Sequence, residues 1–431
     1  MKRVNDKKTY LNRSETCFRT QGQSETAGRG AVLSASPASP SSRAGRHRRN
    51  GVRVSGFLLF LALAQIPGAF GDGLLAQEVR FAVVGDLMGH DEQIKSAYDP
   101  ECKCYDYSSV FEDTAPYFQK ADLAIGNLEV TLPGKADQYK GYPLFGSPDA
   151  YAEAMKKAGF DVLTLANNHT VDTGKPGVLR TLSVVQKLGM IGLGVYATEK
   201  AYQDNPVPVI EKNGLRIAML NYTYGTNGIP VPPGVRINHI HPDQIRSDLL
   251  KANAMNVDVK MVLFHFGAEY TREPNNYQKQ MVEVAVRSGA DVIIGGHPHV
   301  LQPFEKRHVK DANGRLRPVL IAYSLGNFVS HQIRRYTDGG MIFQFTVEKT
   351  DAALTIRDID YVPVLVYIDH SGSRPLYRVL PVEDYLHYED GKLKRNPKAP
   401  RKLSKAGWSR MITFFTDTTQ HLRKSRENVS R

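Results

Sequence analysis

Between residues 79 and 368, apolar runs of strand length alternate with stretches whose apolar residues recur every three or four positions. The first run, VRFAVVG (79–85), is mostly β-branched and aromatic and is closed by glycine, which predicts a buried strand. ADLAIGN (121–127), DVLTLANN (161–168), LRIAMLNYTYG (215–225), VKMVLFHFG (259–267), DVIIGG (291–296) and RPVLIAYSLGNF (317–328) repeat that texture. Helical patterns lie between them. Residues 177–188 put Val178, Leu182, Val185 and Leu188 on one face, just after Lys175-Pro176. HPDQIRSDLLKANA (241–254) gathers Ile245, Leu249 and Leu250 behind a capping Asp243, and NNYQKQMVEVAVRSG (275–289) ends in glycine. GGMIFQFTVEK and LTIRDIDYVPVLVYI alternate apolar and polar residues, which predicts antiparallel strands. The β-α-β order with a β-rich close predicts one α/β domain over 79–365. A trailing appendage is expected over 366–390 and a basic tail over 391–431. An amphipathic piece around Trp408, Met411, Phe414 and Phe415 is expected to pack on the domain. No repeat of 20–50 residues is visible, which argues against a solenoid.

The residues that follow each predicted strand add chemistry to this pattern. Asp86 follows FAVVG, Asn127 and Glu129 follow LAIG, and Asn167, Asn168 and His169 follow LTLA. His265 and Glu269 follow VKMVLF, His297 and His299 follow DVIIGG, and Gly326 and Asn327 follow IAYS. In open α/β sheets, ligands bind beyond the carboxyl ends of the strands. Carboxylates, amides and imidazoles converging there form a mixed nitrogen and oxygen set that suits Zn²⁺, Mn²⁺ or Fe ions. The set is large enough for two ions, which can share a carboxylate and clamp an attacking hydroxide. Taken singly, each position has a plainer reading. An aspartate after a strand is often a helix cap, and His90, His239 and His241 read as structural or solvent-facing. A serine hydrolase is disfavoured because no G-x-S-x-G is present. GLGVYATE lacks the full glycine fingerprint of a dinucleotide site.

Charge bears on partners. Of the formal net charge of +12, residues 1–54 carry +9 and residues 391–431 carry +10, which leaves −7 for the rest. A mildly acidic folded part argues against a nucleic-acid partner. Basic ends suggest solvated extensions close to an anionic membrane or polymer. GFLLFLALAQIPGAFGDG reads as an export signal over 55–71, either cleaved after Ala69-Phe70-Gly71 or kept as an anchor. It follows an N-terminal extension, 1–54, whose Ser, Arg, Gly and Pro content predicts disorder. The three cysteines, Cys17, Cys102 and Cys104, define no disulfide framework. Cys102 and Cys104 read as part of an inert surface loop, with pairing in a small ring as the alternative in an oxidising compartment.

GDLM, ADLAIGNLEVTL, LTLANNHTVDTG, HFGAEY, GADVIIGGHPHVLQP and IAYSLGNFV span residues 80–330 in order. Together they resemble the CapA family of bacterial capsule (poly-gamma-glutamate) synthesis proteins, a branch of the calcineurin-like metallophosphoesterases. The resemblance implies a β-sandwich flanked by helices, with flexible basic termini. It implies that Asp86, Glu129, Asn168, His265, His297 and His299 hold one or two divalent ions of Mn, Zn or Fe, with Glu129 bridging. It implies that His169 is a general acid. Asn127, Glu269 and Asn327 are expected to contact substrate. Two departures stand out. The superfamily's D-x-H is Asp86-Leu87-Met88 here, and methionine is a poor ligand beside carboxylates. The aspartate that usually follows Asn-His is Thr170; Asp172 either replaces it as the partner of His169 or caps the next turn.

The expected function is an exported capsule or envelope polymer protein with a metal-dependent hydrolase site. Its partners would be an anionic polymer, or a phosphoester or amide substrate, and a membrane polymer-synthesis complex. The alternative is a non-catalytic polymer-binding or scaffold subunit of such a complex, a reading favoured by the missing histidine at Met88. A secreted nucleotidase, by superfamily analogy, would need an aromatic clamp that the sequence does not reveal.

Overall fold

The computed structural model describes residues 77–430, apart from 312 and 352. The extension expected over 1–54, the export signal expected over 55–71 and Cys17 lie outside the described residues.

The first sheet begins with four parallel strands: β1 (Gln77–Leu87), β2 (Leu123–Leu128), β3 (Val162–Thr164) and β4 (Ile191–Leu193). Helices α1 (Asp149–Ala158) and α2 (Gly174–Lys187) make crossovers between them. Helix α1 stops at Gly159, whose φ of 117° suits a residue without a side chain. The second sheet follows, with β5 (Val209–Lys212), β6 (Leu215–Thr223), β7 (Val259–His265), β8 (Val292–Gly296), β9 (Phe304–Lys310) and β10 (Leu316–Ala322). Its spatial order is β9-β10-β8-β7-β6-β5, parallel in the middle and antiparallel at both edges. Helices α3 (Pro242–Ala254) and α4 (Asn276–Arg287) cross over here. Helix α4 opens on a capping box, in which Asn275 accepts from the Gln278 N–H and Gln278 accepts in return. The chain then returns to the first sheet with β11 (Asn327–Val329), β12 (Gly339–Lys349), β13 (Leu354–Asp369) and β14 (Leu376–Pro381). That sheet runs β14-β13-β12-β1-β2-β3-β4, with β11 also pairing beside β1.

Alternation along the strands separates the layers. In β1, Val79, Phe81 and Val83 enter a core shared with Met219, Met261 and Ile294 of the second sheet. Ala82 and Val84 point the other way, toward Met155 of α1 and Val185 of α2. The outer face of the second sheet packs Leu220, Val262 and Ile293 against Leu249 of α3 and Val282 of α4. The result is two facing sheets with helices outside, the sandwich that the resemblance implied. Both faces of the central strands are covered, which explains their almost continuous apolar sequence.

The C-terminal part departs from the expectation. The boundary expected at 365 falls inside β13, and β14 pairs with β13 from Val364↔Pro381 to Asp369↔Leu376. Residues 391–431 do not form a free basic tail. Helix α5 (Lys405–Val429) buries Met411, Phe414, Phe415 and Leu422 in the inter-sheet core. The basic residues occupy the outer side of this stripe, so a charge count hides the amphipathicity. Cys102 and Cys104 are joined by a disulfide, where an unpaired surface loop was expected. Among the described residues, no helix is long and apolar enough to cross a membrane.

Candidate metal centre

The carboxyl ends of the parallel strands of both sheets meet at one edge of the sandwich. The register brings Asp86 level with Asn127 across β1 and β2, and His265 level with Gly296 across β7 and β8. Glycines allow the close approach this needs. A side chain on Gly295 would begin 2.0 Å from the Tyr323 carbonyl oxygen, and one on Gly85 would begin 2.0 Å from that of Gly326. Beyond β8 the chain turns sharply, with His297 at φ 96° and His299 at φ 58°. Non-glycine residues rarely adopt this region, and strained backbone of this kind clusters at functional sites.

Asp86 is fully buried. Its Oδ1 accepts from Asn127 Nδ2 at 2.8 Å, and its Oδ2 accepts from His299 Nδ1 at 3.0 Å. Burial opposes the charge, but the hydrogen bonds from His299 and Asn127 hold this carboxyl well below the usual range. Glu129, also fully buried, behaves oppositely. Burial first, and then the charge of Asp86, pushes its carboxyl well above the usual range. Its Oε1 has no hydrogen-bond partner; His265 Nε2 lies 3.5 Å away and His299 Nε2 3.9 Å away. His299 Nδ1 faces acceptors on both sides, Asp86 Oδ2 and Asn327 Oδ1, the latter at 3.1 Å. The proton therefore sits on Nδ1, and Nε2 is the free acceptor.

His265 is held between Asn168 Oδ1, 2.7 Å from its Nε2, and Asn127 Nδ2, 3.2 Å from its Nδ1. Burial, then the nearby His297, keeps its ring neutral. His297 is buried with Nδ1 unpartnered, and burial followed by the neighbouring His299 pushes its pKa down to about 3. Neutral imidazoles and an ionised Asp86 are the forms that ligate divalent ions.

Two groups of side chains offer ligand atoms within 4.8 Å of one another: Glu129, His297 and His299, and Asp86, Glu129 and His265. Glu129 belongs to both groups, as a bridging carboxylate must. Buried polar atoms without partners are costly, and both orphans here, Glu129 Oε1 and His297 Nδ1, are potential donors to an ion. The set fits divalent Mn, Zn or Fe. Asn168 adjoins it through His265.

His169 Nδ1 lies 2.7 Å from Asp172 Oδ2, so the imidazole that lacks a carboxylate at Thr170 obtains one at Asp172. Asp172 Oδ2 also accepts from the Phe145 N–H at 2.7 Å, and the Phe145 ring stands edge-on to His169 at 4.6 Å. Thr170 instead closes the loop, donating to the Leu165 carbonyl and accepting from the Asn167 N–H. Met88 points away from the ligands and packs in the outer core beside Ala97 and Tyr151.

Two expectations need correction. Asn127 and Asn327 were expected to contact substrate, yet both are buried and occupied with site residues. Asn127 Oδ1 receives Thr164 and Asn167, which turns its amino group toward Asp86 and Glu129. Asn327 gives its amino group to Gln332 and the Thr337 carbonyl and its oxygen to His299. Strand-end amides inside a crowded site serve neighbouring side chains before any ligand. Glu269 is exposed and makes no direct hydrogen bond to the ligand set.

Sequence reasoning missed several residues. Asn221 in β6 bonds to the Ala166 N–H and the Leu263 carbonyl, tying the Asn167–His169 loop to the second sheet. Two exposed tyrosines border the histidines, Tyr224 over His297 at 4.6 Å and Tyr270 beside His299 at 6.2 Å, and a third, Tyr142, stands against Phe145 at 6.5 Å. An exposed tyrosine in a loop carries no sequence signal of its own. Tyr270 at least stands one residue after the singled-out Glu269.

Two facing sheets with this buried cluster at their shared carboxyl edge define an α/β protein with a candidate two-ion centre. Residues 80–332 match the family described as bacterial capsule synthesis protein PGA_cap. The chain is 30% identical over 317 residues to the capsule biosynthesis protein CapA of Bacillus anthracis, covering 70% of this chain and 71% of that one. It is 30% identical over 300 residues to the PGA biosynthesis protein CapA of Bacillus subtilis (strain 168), covering 66% and 75%. Among solved structures, the Haemophilus influenzae NAD nucleotidase is similar at 15% identity and a TM-score of 0.44, over 80% of this chain and 63% of that chain. The calcineurin-like phosphoesterase YfkN of Bacillus subtilis is similar at 14% identity and a TM-score of 0.36, over 81% and 100%. Both are distant likenesses. The chain belongs to the CapA family of bacterial capsule synthesis proteins.

Proposed function

We propose that the protein is an exported, metal-dependent hydrolase acting on a phosphoester or amide bond in capsule or envelope polymer metabolism. The observation that carries this reading is the membership of buried Glu129 in two ligand groups, with the His169–Asp172 pair nearby. Divalent ions bound there supply Lewis acidity and activate water at neutral pH. Asp86, Glu129, Asn168, His265, His297 and His299 hold them. Asp172 fixes the orientation of the His169 ring, as carboxylates do for catalytic imidazoles. With Nδ1 engaged by Asp172, His169 gives its Nε2 proton to the leaving oxygen or nitrogen. Exposed Glu269, Tyr142, Tyr224 and Tyr270 offer hydrogen bonds and ring faces to the substrate flanking the bond. An anionic polymer such as poly-gamma-glutamate is the substrate class that the family's role in capsule synthesis supports.

One observation favours a second reading, a non-catalytic polymer-binding subunit of a membrane synthesis complex. Met88 lies in the apolar core and gives no ligand where the superfamily has histidine. The test is turnover. Full-length protein loaded with Mn²⁺, Zn²⁺ or Fe²⁺ is assayed against phosphomonoester, phosphodiester and γ-glutamyl amide substrates, beside His169→Gln and Asp172→Asn. Hydrolysis of one class, reduced 10²–10⁴-fold or so in His169→Gln, is expected. Metal-loaded protein inert on all three classes overturns the hydrolase reading and leaves the binding subunit.

A further inference from the structure

A cation takes only the oxygen of an asparagine amide. The two ends of the Asn168 amide are nearly the same shape, so something must decide which end faces the other ligands. His265 contacts one end, at 2.7 Å from Asn168 Oδ1. The other end, Nδ2, donates to Asn227 Oδ1 at 3.2 Å. Asn227 Oδ1 also accepts from the Tyr224 hydroxyl at 3.2 Å.

The segment that carries Asn227 is built to hold this contact. It leaves β6 at Thr223 and turns back through Thr226–Ile229, closed by the Ile229 N–H on the Thr226 carbonyl at 2.9 Å. The two central residues, Asn227 at φ 52° and Gly228 at φ 76°, are both left-handed, which an Asn-Gly pair tolerates. The segment is anchored beside the site because the Tyr224 N–H donates to the His265 carbonyl at 3.0 Å. A loop of the second sheet thus reaches a residue that follows the first.

We infer that Asn227 is a positioning residue that sets the Asn168 amide with its oxygen toward the ion, and that Tyr224 holds Asn227 in its accepting orientation. This rests on the reading of the cluster as a metal centre. Outer partners of this kind change metal affinity without touching the ion.

The test is calorimetric titration of Mn²⁺ and of Zn²⁺ into metal-free full-length protein, so the readout is binding and not activity. Asn227→Gly keeps the left-handed backbone and removes the acceptor. Asn227→Asp keeps an acceptor that can never turn a donor inward. Asn227→Gly is expected to weaken one binding step about tenfold, with the metal-free unfolding temperature unchanged. Asn227→Asp is expected to bind as tightly as the parent or more tightly, and Tyr224→Phe to lie between. Equal affinities for parent and Asn227→Gly overturn this inference alone. Equal losses in Asn227→Gly and Asn227→Asp also overturn it, because loop shape would then matter and not the acceptor. A parent chain that binds neither ion overturns both this inference and the metal-centre reading.

Discussion

At the scale of single residues, Glu129 sets function against stability. Its buried carboxyl has one oxygen without a partner and titrates well above the usual range because of burial and the charge of Asp86. In the unfolded chain a glutamate releases its proton near pH 4.3 or so. Below that pH both states are protonated and the group costs nothing. As pH rises toward the raised folded value, the folded state binds more protons than the unfolded one, and stability falls. Glu129→Gln should therefore stabilise the metal-free protein by about 1–3 kcal/mol at pH 7. The gain should vanish near pH 4. Urea unfolding of metal-free parent and variant at both pH values checks this, and a variant no more stable at pH 7 contradicts it. Asp86, His265, His297 and His299 were legible in the sequence because each stands at or just past the carboxyl end of a strand, where backbone geometry fixes what reaches the edge. The roles of Asn127 and Asn327 were not legible. Whether an amide serves ligand or neighbour depends on side chains from other parts of the chain, such as Thr164 of β3 and Gln332 of the loop after β11.

At the scale of elements, the strands were legible and the C-terminal helix only in part. Buried parallel strands write themselves as short apolar runs ended by glycine, and β1, β2, β7 and β8 all do so. In α5, four buried apolar side chains are diluted among basic and threonine residues over 25 positions. The spacing of Met411, Phe414 and Phe415 was visible, but its continuation to Leu422 was not. That stripe closes the inter-sheet core. Gly339 packs so closely beneath it that a Cβ would meet the Phe414 ring at 2.7 Å. Phe414→Ala should cost about 3–5 kcal/mol, read as a lower urea midpoint with an unchanged slope. A loss within about 0.5 kcal/mol, the range of an ordinary surface change, would show that α5 is dispensable to the core.

At the scale of the whole molecule, neither sheet owns the site. Asp86, Glu129, Asn168 and His169 come from the first sheet and its loops, while His265, His297 and His299 come from the second. The cluster exists only while the sheets stay packed, so metal binding and folding are linked. The basic charge lies in the ends of the chain and the chemistry in its acidic middle, a division that net charge alone conceals. The most direct measurement is metal content by mass spectrometry. Full-length parent and Glu129→Gln are each equilibrated with Mn²⁺, Zn²⁺ or Fe²⁺ and freed of unbound ion. Because Glu129 belongs to both ligand groups, the account predicts two ions of one metal per parent chain and loss of both in the variant. A parent that retains none of the three metals, or a Glu129→Gln variant that retains two ions, would contradict it.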